Sequence, residues 1–191
     1  MKRGRKREYR TFVGDFETTV YEGQDDTEVW ASAIVEIGSE DVTILHSIGE
    51  TFEYFKKLQT NVICYYHNLK FDGNFWLYYL MNVKHFSQAT YSVSSLETDV
   101  RFLKPWKMQT NTFEYTISDM GQWYTLRFKV GKFLIELRDS LKLLPFPVAA
   151  IGKAFNTKHQ KLSMEYKGFR YAGCPISDNE KKYIANDVLV V

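Results

Sequence analysis

The sequence predicts an α/β domain in which helices flank a mixed sheet. Two observations lead to this fold class. First, β-forming segments open the chain, a helix, a strand and a second helix follow, and further strands precede two final helices. Second, the 191 residues are 45% hydrophobic and 16% aromatic, enough to bury a core without disulfides or a structural metal. This length favours one domain, and the composition excludes a disordered chain.

Residue patterns predict the individual elements in order. Alternating and β-branched residues predict strands at 9–19, 28–35, 41–47, 62–66, 124–130 and 133–137. Helices are expected at 51–58, 71–83, 147–155 and after Ser177, where Glu180 completes a capping box. In the second helix the pattern places Phe71, Phe75, Leu77 and Tyr78 near one stripe.

Charge is distributed unevenly along the chain. The first ten residues hold six basic side chains and one acid, whereas the other 181 carry a net charge of −3. We therefore divide the sequence into a basic arm, 1–10, and a single domain, 11–191. Two interpretations of the arm stay open, contact with a phosphate backbone or a solvated terminus.

Cysteine usage and hydropathy indicate the compartment. Cys64 and Cys174 lie far apart and in no CxxC spacing, which disfavours a zinc site and favours a reducing environment. No stretch approaches the roughly 20 apolar residues of a membrane span, and no signal peptide is recognisable. We expect a soluble protein inside the cell, without a membrane partner.

Four carboxylates occur at spacings that suit metal binding. Asp15 and Glu17 alternate on the first strand and so share one face. Asp72 lies in the first turn of a helix, and Asp187 lies on the last helix, one turn after Tyr183. Taken singly, each has a plainer explanation: an acidic solvent face, a helix cap or chance. Together they form the layout that holds two divalent cations, Mg²⁺ or Mn²⁺, for phosphodiester hydrolysis.

The same segments resemble the exonuclease motifs of family B DNA polymerases, in the tyrosine-containing DEDD class of 3′–5′ exonucleases. The strings DFETT, YHNLKFDGNF, MGQWY, DSLKLLPFPV and YIANDV resemble the proofreading domain of the protein-primed branch, found in phages and linear plasmids. The resemblance extends from about Thr11 to Val191. It implies a ribonuclease-H-like (DnaQ-like) fold.

The resemblance also implies a role for each matching residue. Asp15, Glu17, Asp72 and Asp187 would bind metal, and Tyr183 would orient the attacking water. Lys161, five residues before Tyr166, resembles the lysine of a further catalytic motif, but its flanking acids are partly replaced and a surface lysine is the alternative. The implied ligands of single-stranded DNA are Thr18, His67, Asn68, Phe71, Phe75, Ser140 and Leu141. For Phe71 and Phe75 core packing is the alternative, and for His67 a structural role.

The implied activity is 3′–5′ exonuclease action on single-stranded DNA, which releases mononucleotides and serves proofreading. Its expected partners are a DNA 3′ end, a terminal protein and the remainder of a polymerase chain, in the cytoplasm of a bacterial host. No YxDTD-like palm motif occurs, so we do not expect polymerisation. Two alternatives stay open: a module that binds single strands or terminal protein but cleaves poorly, and an RNA exonuclease of the same fold. Two interpretations of the 96–112 segment stay open: an extra hairpin that contacts DNA, or a lineage-specific loop.

Overall fold

A mixed eight-stranded sheet forms the centre of the computed structural model, which describes residues 8–18, 22–92, 100–166 and 168–191. In spatial order the strands are β3 (Thr43–Leu45), β2 (Ala31–Glu36), β1 (Tyr9–Glu17), β4 (Asn61–Tyr66), β10 (Phe133–Asp139), β9 (Trp123–Val130), β8 (Thr112–Ile117) and β5 (Ser87–Gln88). A separate antiparallel pair consists of β6 (Thr90–Ser92) and β7 (Val100–Phe102).

Four α-helices accompany the sheet in the described part of the chain. They are α1 (Ile48–Lys57), α2 (Leu69–Tyr78), α3 (Val148–Phe155) and α4 (Asp178–Val190). A π-helical turn, Tyr79–Val83, continues α2, and short 3₁₀ turns occupy Pro105–Lys107 and Ser140–Lys142. Among the described residues, no helix combines the length and apolar character needed to span a membrane.

The strand directions bring three strand ends to one edge of the sheet. β4 runs parallel to β1 and to β10, so the carboxyl ends of β1, β4 and β10 lie side by side. β1 continues past its last pairing with β4, which is between Gly14 and Tyr66. This edge is therefore where residues that follow different strands can meet.

The two faces of the sheet carry separate cores. On one face, helices α1 and α2 cover a large aromatic core that includes Phe12, Phe55 and Trp76. On the other face, α4 packs its Ile184 and Val188 against β1 and β2. Because side chains alternate along a strand, β1 sends residues to both cores in turn.

The predicted fold class is confirmed, and most predicted elements lie within a few residues of the observed ones. Tyr9 and Arg10, which the sequence analysis placed both in the arm and in the first strand, belong to β1, where they pair with Asn61 and Val62 of β4. The Arg10 guanidinium also donates two hydrogen bonds to Glu36, at 2.8 and 2.6 Å. Residues 1–7 of the arm and residue 19 of the predicted first strand lie outside the described residues. Within the 96–112 segment, 96–99 are likewise outside, and contact with DNA stays a prediction.

The stripe predicted on the second helix is only in part the side that packs, because Phe75 and Leu77 pack partly against the core whereas Phe71 and Tyr78 do not. The side that α2 buries carries Leu69, Gly73 and Trp76, at spacings of four and three residues, together with Asp72. Phe71 is 51% exposed and Tyr78 is 66% exposed, so the two point away from the core. The prediction relied on the aromatic residues, whereas Gly73, the smallest residue of α2, makes the close contact with the sheet.

Gly73 sets the distance between α2 and β9. A Cβ atom placed on Gly73 would lie 2.6 Å from Cζ3 of Trp123, whose side chain is buried beneath the helix. Any side chain here would push the helix away from the strand and shift the neighbouring Asp72. The glycine is therefore required for packing.

We expect Gly73→Ala to lower the free energy of unfolding by about 1–3 kcal/mol, the usual effect of overpacking a core. The matched control is Gly49→Ala in α1, where the added Cβ would lie 3.4 Å from the hydroxyl of Tyr79, an ordinary van der Waals distance. That change should be neutral or stabilising, since alanine is the better helix former. Urea denaturation of both variants measures the difference, and equal stabilities would contradict the packing role of Gly73.

Candidate active site

Two carboxylates project from the end of β1 towards α4. Asp15 and Glu17 are two residues apart on the strand, so both lie on the face that α4 covers. Val13, two residues earlier on the same face, packs in the core beneath α4. The packing of Val13 thus determines which way the two acids point.

Helix α4 adds a third carboxylate. Asp187 lies between Ile184 and Val188, the residues that anchor the helix to the sheet, and it is itself buried. Ligand oxygens of Asp15, Glu17 and Asp187 all lie within 4.8 Å of one another. Acids from opposite ends of the chain thus form one cluster with the composition of a metal site.

Asp72 is adjacent to this cluster but has a different environment. Its carboxylate is 2% exposed, and Oδ1 accepts the backbone N–H of Phe16 at 3.2 Å. Phe16 lies between the two acids of β1, in the part of the strand that extends beyond β4. Asp72 therefore fastens α2 to the end of β1, and it lies outside the group of three acids that meet within 4.8 Å.

Lys161 faces the acidic cluster from a segment without regular structure. Neither 157–166 nor 168–176 contains a helix or strand. The Lys161 ammonium forms an ion pair with Oδ2 of Asp187 and lies 5.2 Å from the centroid of the Tyr183 ring. The other oxygen of Asp187, Oδ1, is buried and has no hydrogen-bond partner in the described structure. One carboxylate oxygen is thus neutralised and the other is left for a ligand.

Burial and mutual repulsion raise the proton affinity of the acids. Burial first, and then the negative charge of Asp187, raise the pKa of Asp15. Burial and the charge of Asp15 raise the pKa of Glu17 to about 8. The pKa of Asp72 is also well above its ordinary range, because of burial and then Asp15. The cluster therefore needs either protons or a bound cation to compensate its charge.

A cavity of about 190 Å³ opens beside the cluster. Asp15, Asp187 and Lys161 supply its polar wall, and His67 borders it from the end of β4. Nδ1 of His67 lies 3.1 Å from Oγ of Ser140, and burial lowers the pKa of the imidazole. His67, which follows β4, therefore connects this cavity to Ser140 in the turn after β10, and both residues are predicted to bind DNA.

Asp139 holds that edge of the sheet together, and the sequence analysis did not identify it. Its Oδ1 accepts the backbone N–H groups of Asn68 at 3.1 Å, Leu69 at 3.3 Å and Leu141 at 3.0 Å. Asn68 has a left-handed conformation, with φ of 68°, at the start of α2. An aspartate two residues after the end of a predicted strand was the available signal, since such residues often bond to nearby backbone N–H groups.

The remaining predicted DNA ligands lie around this edge. Phe71 is exposed, and its ring centroid is 5.6 Å from that of Phe75, which packs partly against the core. The core-packing alternative therefore fails for Phe71 and holds in part for Phe75. Thr18 directly follows β1 and is half-buried. Contact with DNA stays a prediction for all of these residues.

Comparisons with known proteins connect this arrangement to a family. The family model of DNA polymerase type B, organellar and viral, matches residues 55–190. The DNA polymerase of Bacillus phage B103 is 34% identical over 188 residues, which are 95% of this chain and 29% of that protein. The DNA polymerase of Bacillus phage phi29 is 33% identical over 183 residues, 93% of this chain and 28% of that protein.

Solved structures give the same result. Phi29 DNA polymerase complexed with single-stranded DNA matches with a TM-score of 0.76 and 30% identity, over 97% of this chain and 30% of that chain. Its ternary complex with primer-template DNA and incoming nucleotide matches with a TM-score of 0.75, again over 97% and 30%.

The chain belongs to the organellar and viral type B DNA polymerases. It spans about 30% of the length of the polymerases it matches, and that part corresponds to the ribonuclease-H-like exonuclease region of the phi29 enzyme. The resemblance found in the sequence is thereby confirmed.

Metal-free protein should lose stability as pH rises. Glu17 keeps its proton to about pH 8 when folded, whereas its ordinary pKa is 4.5, so the folded state binds more protons between these values. Stability falls with pH wherever the native state binds more protons than the unfolded state. We expect the melting temperature in EDTA to fall between pH 5 and pH 8, and Glu17→Gln to make this fall less steep.

Glu36→Gln is the matched control, because the Arg10 side chain lowers the pKa of Glu36 and keeps it ionised throughout this range. Mg²⁺ at pH 8 should restore the melting temperature of the wild type, since a ligand of the native state stabilises it. Equal pH dependence in the wild type and Glu17→Gln, measured by thermal denaturation, would refute this account of the cluster.

Proposed function

We propose that this chain is a metal-dependent 3′–5′ exonuclease that removes mononucleotides from single-stranded DNA, as the proofreading domain of a protein-primed polymerase. The observation that carries the proposal is the meeting of Asp15, Glu17 and Asp187 within 4.8 Å. Membership of the polymerase family and the match to its exonuclease region support the same function.

The acidic cluster fits divalent cations. Carboxylate oxygens are the ligands that Mg²⁺ and Mn²⁺ prefer. Among the described residues Oδ1 of Asp187 is buried and has no hydrogen-bond partner, an unfavourable arrangement that a bound cation would relieve. Asp15, Glu17 and Asp187, with Asp72 beside them, are the residues that would hold two cations. When bound, such cations lower the pKa of water and neutralise charge on the phosphodiester.

Two further side chains act at this cluster. Lys161 places a positive charge beside Asp187, at the cavity where a scissile phosphate would lie. Tyr183 lies one helical turn before Asp187, with its ring near the Lys161 ammonium, and we assign it the orientation of the attacking water. Both groups bind and position reactants, which suits hydrolysis by an in-line water.

The carboxyl ends of the strands provide the DNA-binding edge. His67 borders the cavity and contacts Ser140, and Asn68 follows His67 at the start of α2. The exposed ring of Phe71 is available to stack on an unpaired base, with Phe75 supporting it from behind. Thr18 and Leu141 complete the proposed set of single-strand ligands.

The relatives suggest the biological setting. Those compared above are phage polymerases, and two matched structures hold single-stranded or primer-template DNA. We propose that the domain works beside the rest of a polymerase chain in the cytoplasm of a bacterial host. A terminal protein as a second partner stays a prediction.

The test uses a single-stranded DNA oligomer labelled at its 5′ end, incubated with the protein in Mg²⁺ or in EDTA. We expect a ladder that shortens from the 3′ end, only when metal is present. The double variant Asp15→Ala, Glu17→Ala should lose at least ~10³-fold in rate, since removing even one electrostatic stabiliser costs about 10²–10³-fold. Its melting temperature in EDTA should be unchanged or higher, because repulsion between buried acids is relieved.

The matched control removes two carboxylates from the surface. Glu36→Ala, Glu53→Ala breaks ion pairs with Arg10 and Lys56, away from the cluster, and should leave the cleavage rate unchanged. Metal-dependent cleavage that survives in the Asp15/Glu17 double variant would overturn the assignment. An RNA oligomer of the same sequence is the second substrate, and preferential cleavage of RNA would replace DNA as the substrate.

A further inference from the structure

Tyr166 connects two parts of the proposed active site. Its hydroxyl faces the carboxylate of Glu17, and it has no hydrogen bond of normal geometry in the described structure. Its ring meets Tyr183 edge-on, with centroids 5.9 Å apart. A shift of this ring would therefore displace the surroundings of a proposed metal ligand and of the tyrosine assigned to the water.

Local backbone structure does not hold Tyr166 in place. The residue lies in the irregular segment that begins at 157, where no described residue belongs to a helix or strand. Its position must therefore come from side-chain contacts. Of its described ring contacts the shorter is with Trp30, whose ring is perpendicular to that of Tyr166 at a centroid distance of 4.8 Å.

Arg170 packs against both of these aromatic rings. Its guanidinium carbon lies 5.1 Å from the ring centroid of Trp30 and 6.0 Å from that of Tyr166. The Arg170 side chain is only 14% exposed, and its charge is compensated by an ion pair with Glu180. A planar guanidinium can lie against aromatic rings and donate to a carboxylate at the same time.

Glu180 and Trp30 extend this contact to the rest of the site. Glu180 accepts hydrogen bonds at 2.8 Å from the N–H and the hydroxyl of Ser177, and so closes the capping box at the start of α4. The backbone N–H of Trp30 donates to the carbonyl of Glu17 at 3.1 Å. Arg170 therefore contacts the helix that carries Tyr183 and both aromatic neighbours of Glu17.

We propose that Arg170 is a positioning residue for the nuclease reaction: it fixes Tyr166, and through Tyr166 the carboxylate of Glu17 and the ring of Tyr183. This inference rests on the proposed function. Arg170 acts from behind the aromatic pair and makes no contact with substrate. If Arg170 had a purely structural role, the effect of its substitution on kcat would not depend on the Tyr166 hydroxyl.

A double-mutant cycle separates these two roles. The variants are Arg170→Lys, Tyr166→Phe and their combination, compared with the wild type for kcat and KM on single-stranded DNA. We expect each single change to lower kcat about 10–100-fold with little change in KM, the usual effect of altering groups behind metal ligands. In the Tyr166→Phe background, Arg170→Lys should lower kcat by a smaller factor than in the wild type, because the route through the Tyr166 hydroxyl to Glu17 is already lost.

A second readout does not depend on activity. Mn²⁺ titrated into the DNA-free protein, followed by its paramagnetic resonance signal, should bind about tenfold more weakly to Arg170→Lys than to the wild type. If the wild type does not cleave DNA, the proposed function fails, while this titration still tests whether Arg170 organises the acidic cluster. Unchanged Mn²⁺ affinity would overturn the positioning role.

The matched control is Arg127→Lys, which alters another partly buried arginine held by two carboxylates, Glu114 and Glu136. It should lower the melting temperature without changing kcat at temperatures where it is folded. If Arg170→Lys does not fold, Glu180→Gln replaces it, because glutamine retains the hydrogen bond to Ser177 and loses the charge that holds Arg170. If the losses of kcat in Arg170→Lys and Tyr166→Phe simply multiply in the double variant, the positioning role is refuted and Arg170 is a structural residue.

Discussion

Three carboxylates approach within 4.8 Å at the end of β1, and their repulsion is the constraint to which the surrounding structure responds. Two like charges about 4 Å apart repel by roughly 4 kcal/mol at an effective dielectric constant of 20. Such a cluster is retained only where neighbouring groups compensate the repulsion or where the carboxylates bind a ligand. Here the compensation is partial, because Lys161 neutralises one oxygen of Asp187 while the other has no hydrogen-bond partner in the part of the chain that the structure describes.

The compensating groups come from distant parts of the chain, and the topology explains how they meet. β1 is a central strand that extends beyond its parallel neighbour, so the N–H of Phe16 is free to bond Asp72 at the start of α2. On the other face, apolar residues of α4 bring Asp187 under the same strand. Function and packing therefore share the same elements, and no separate loop is needed to build the acidic cluster.

Some of this site could be predicted from the sequence because its spacings are local. The pair Asp15 and Glu17 follows from strand alternation, and Tyr183 and Asp187 follow from one helical turn. The capping box of α4 was predicted from Ser177 and Glu180 and is confirmed. The periodicity of a strand or helix predicts which side chains share a face, but only over a few residues.

Contacts between remote residues could not be predicted in the same way. Asp139 bonds backbone groups about 70 positions away, and its sequence neighbourhood does not indicate which ones. The aromatic residues of α2 suggested a buried stripe, whereas the helix packs through Gly73 against Trp123. In both cases the deciding partner belongs to an element remote in sequence, the start of α2 for Asp139 and β9 for Gly73, so the outcome depends on tertiary structure and not on local preference.

The irregular segment that carries Lys161 and Tyr166 has a consequence for how the site is lost. Its described anchors to α4 include Lys161 to Asp187, Arg170 to Glu180 and Tyr166 to Tyr183. A segment without helix or sheet hydrogen bonds of its own tends to unfold together with the element to which it is attached. Detachment of α4 would thus release the lysine, both tyrosines and an acid in one event, while the sheet and the opposite core persist. Hydrogen-bonded backbone amides of α4 should then exchange faster than those of the central strands.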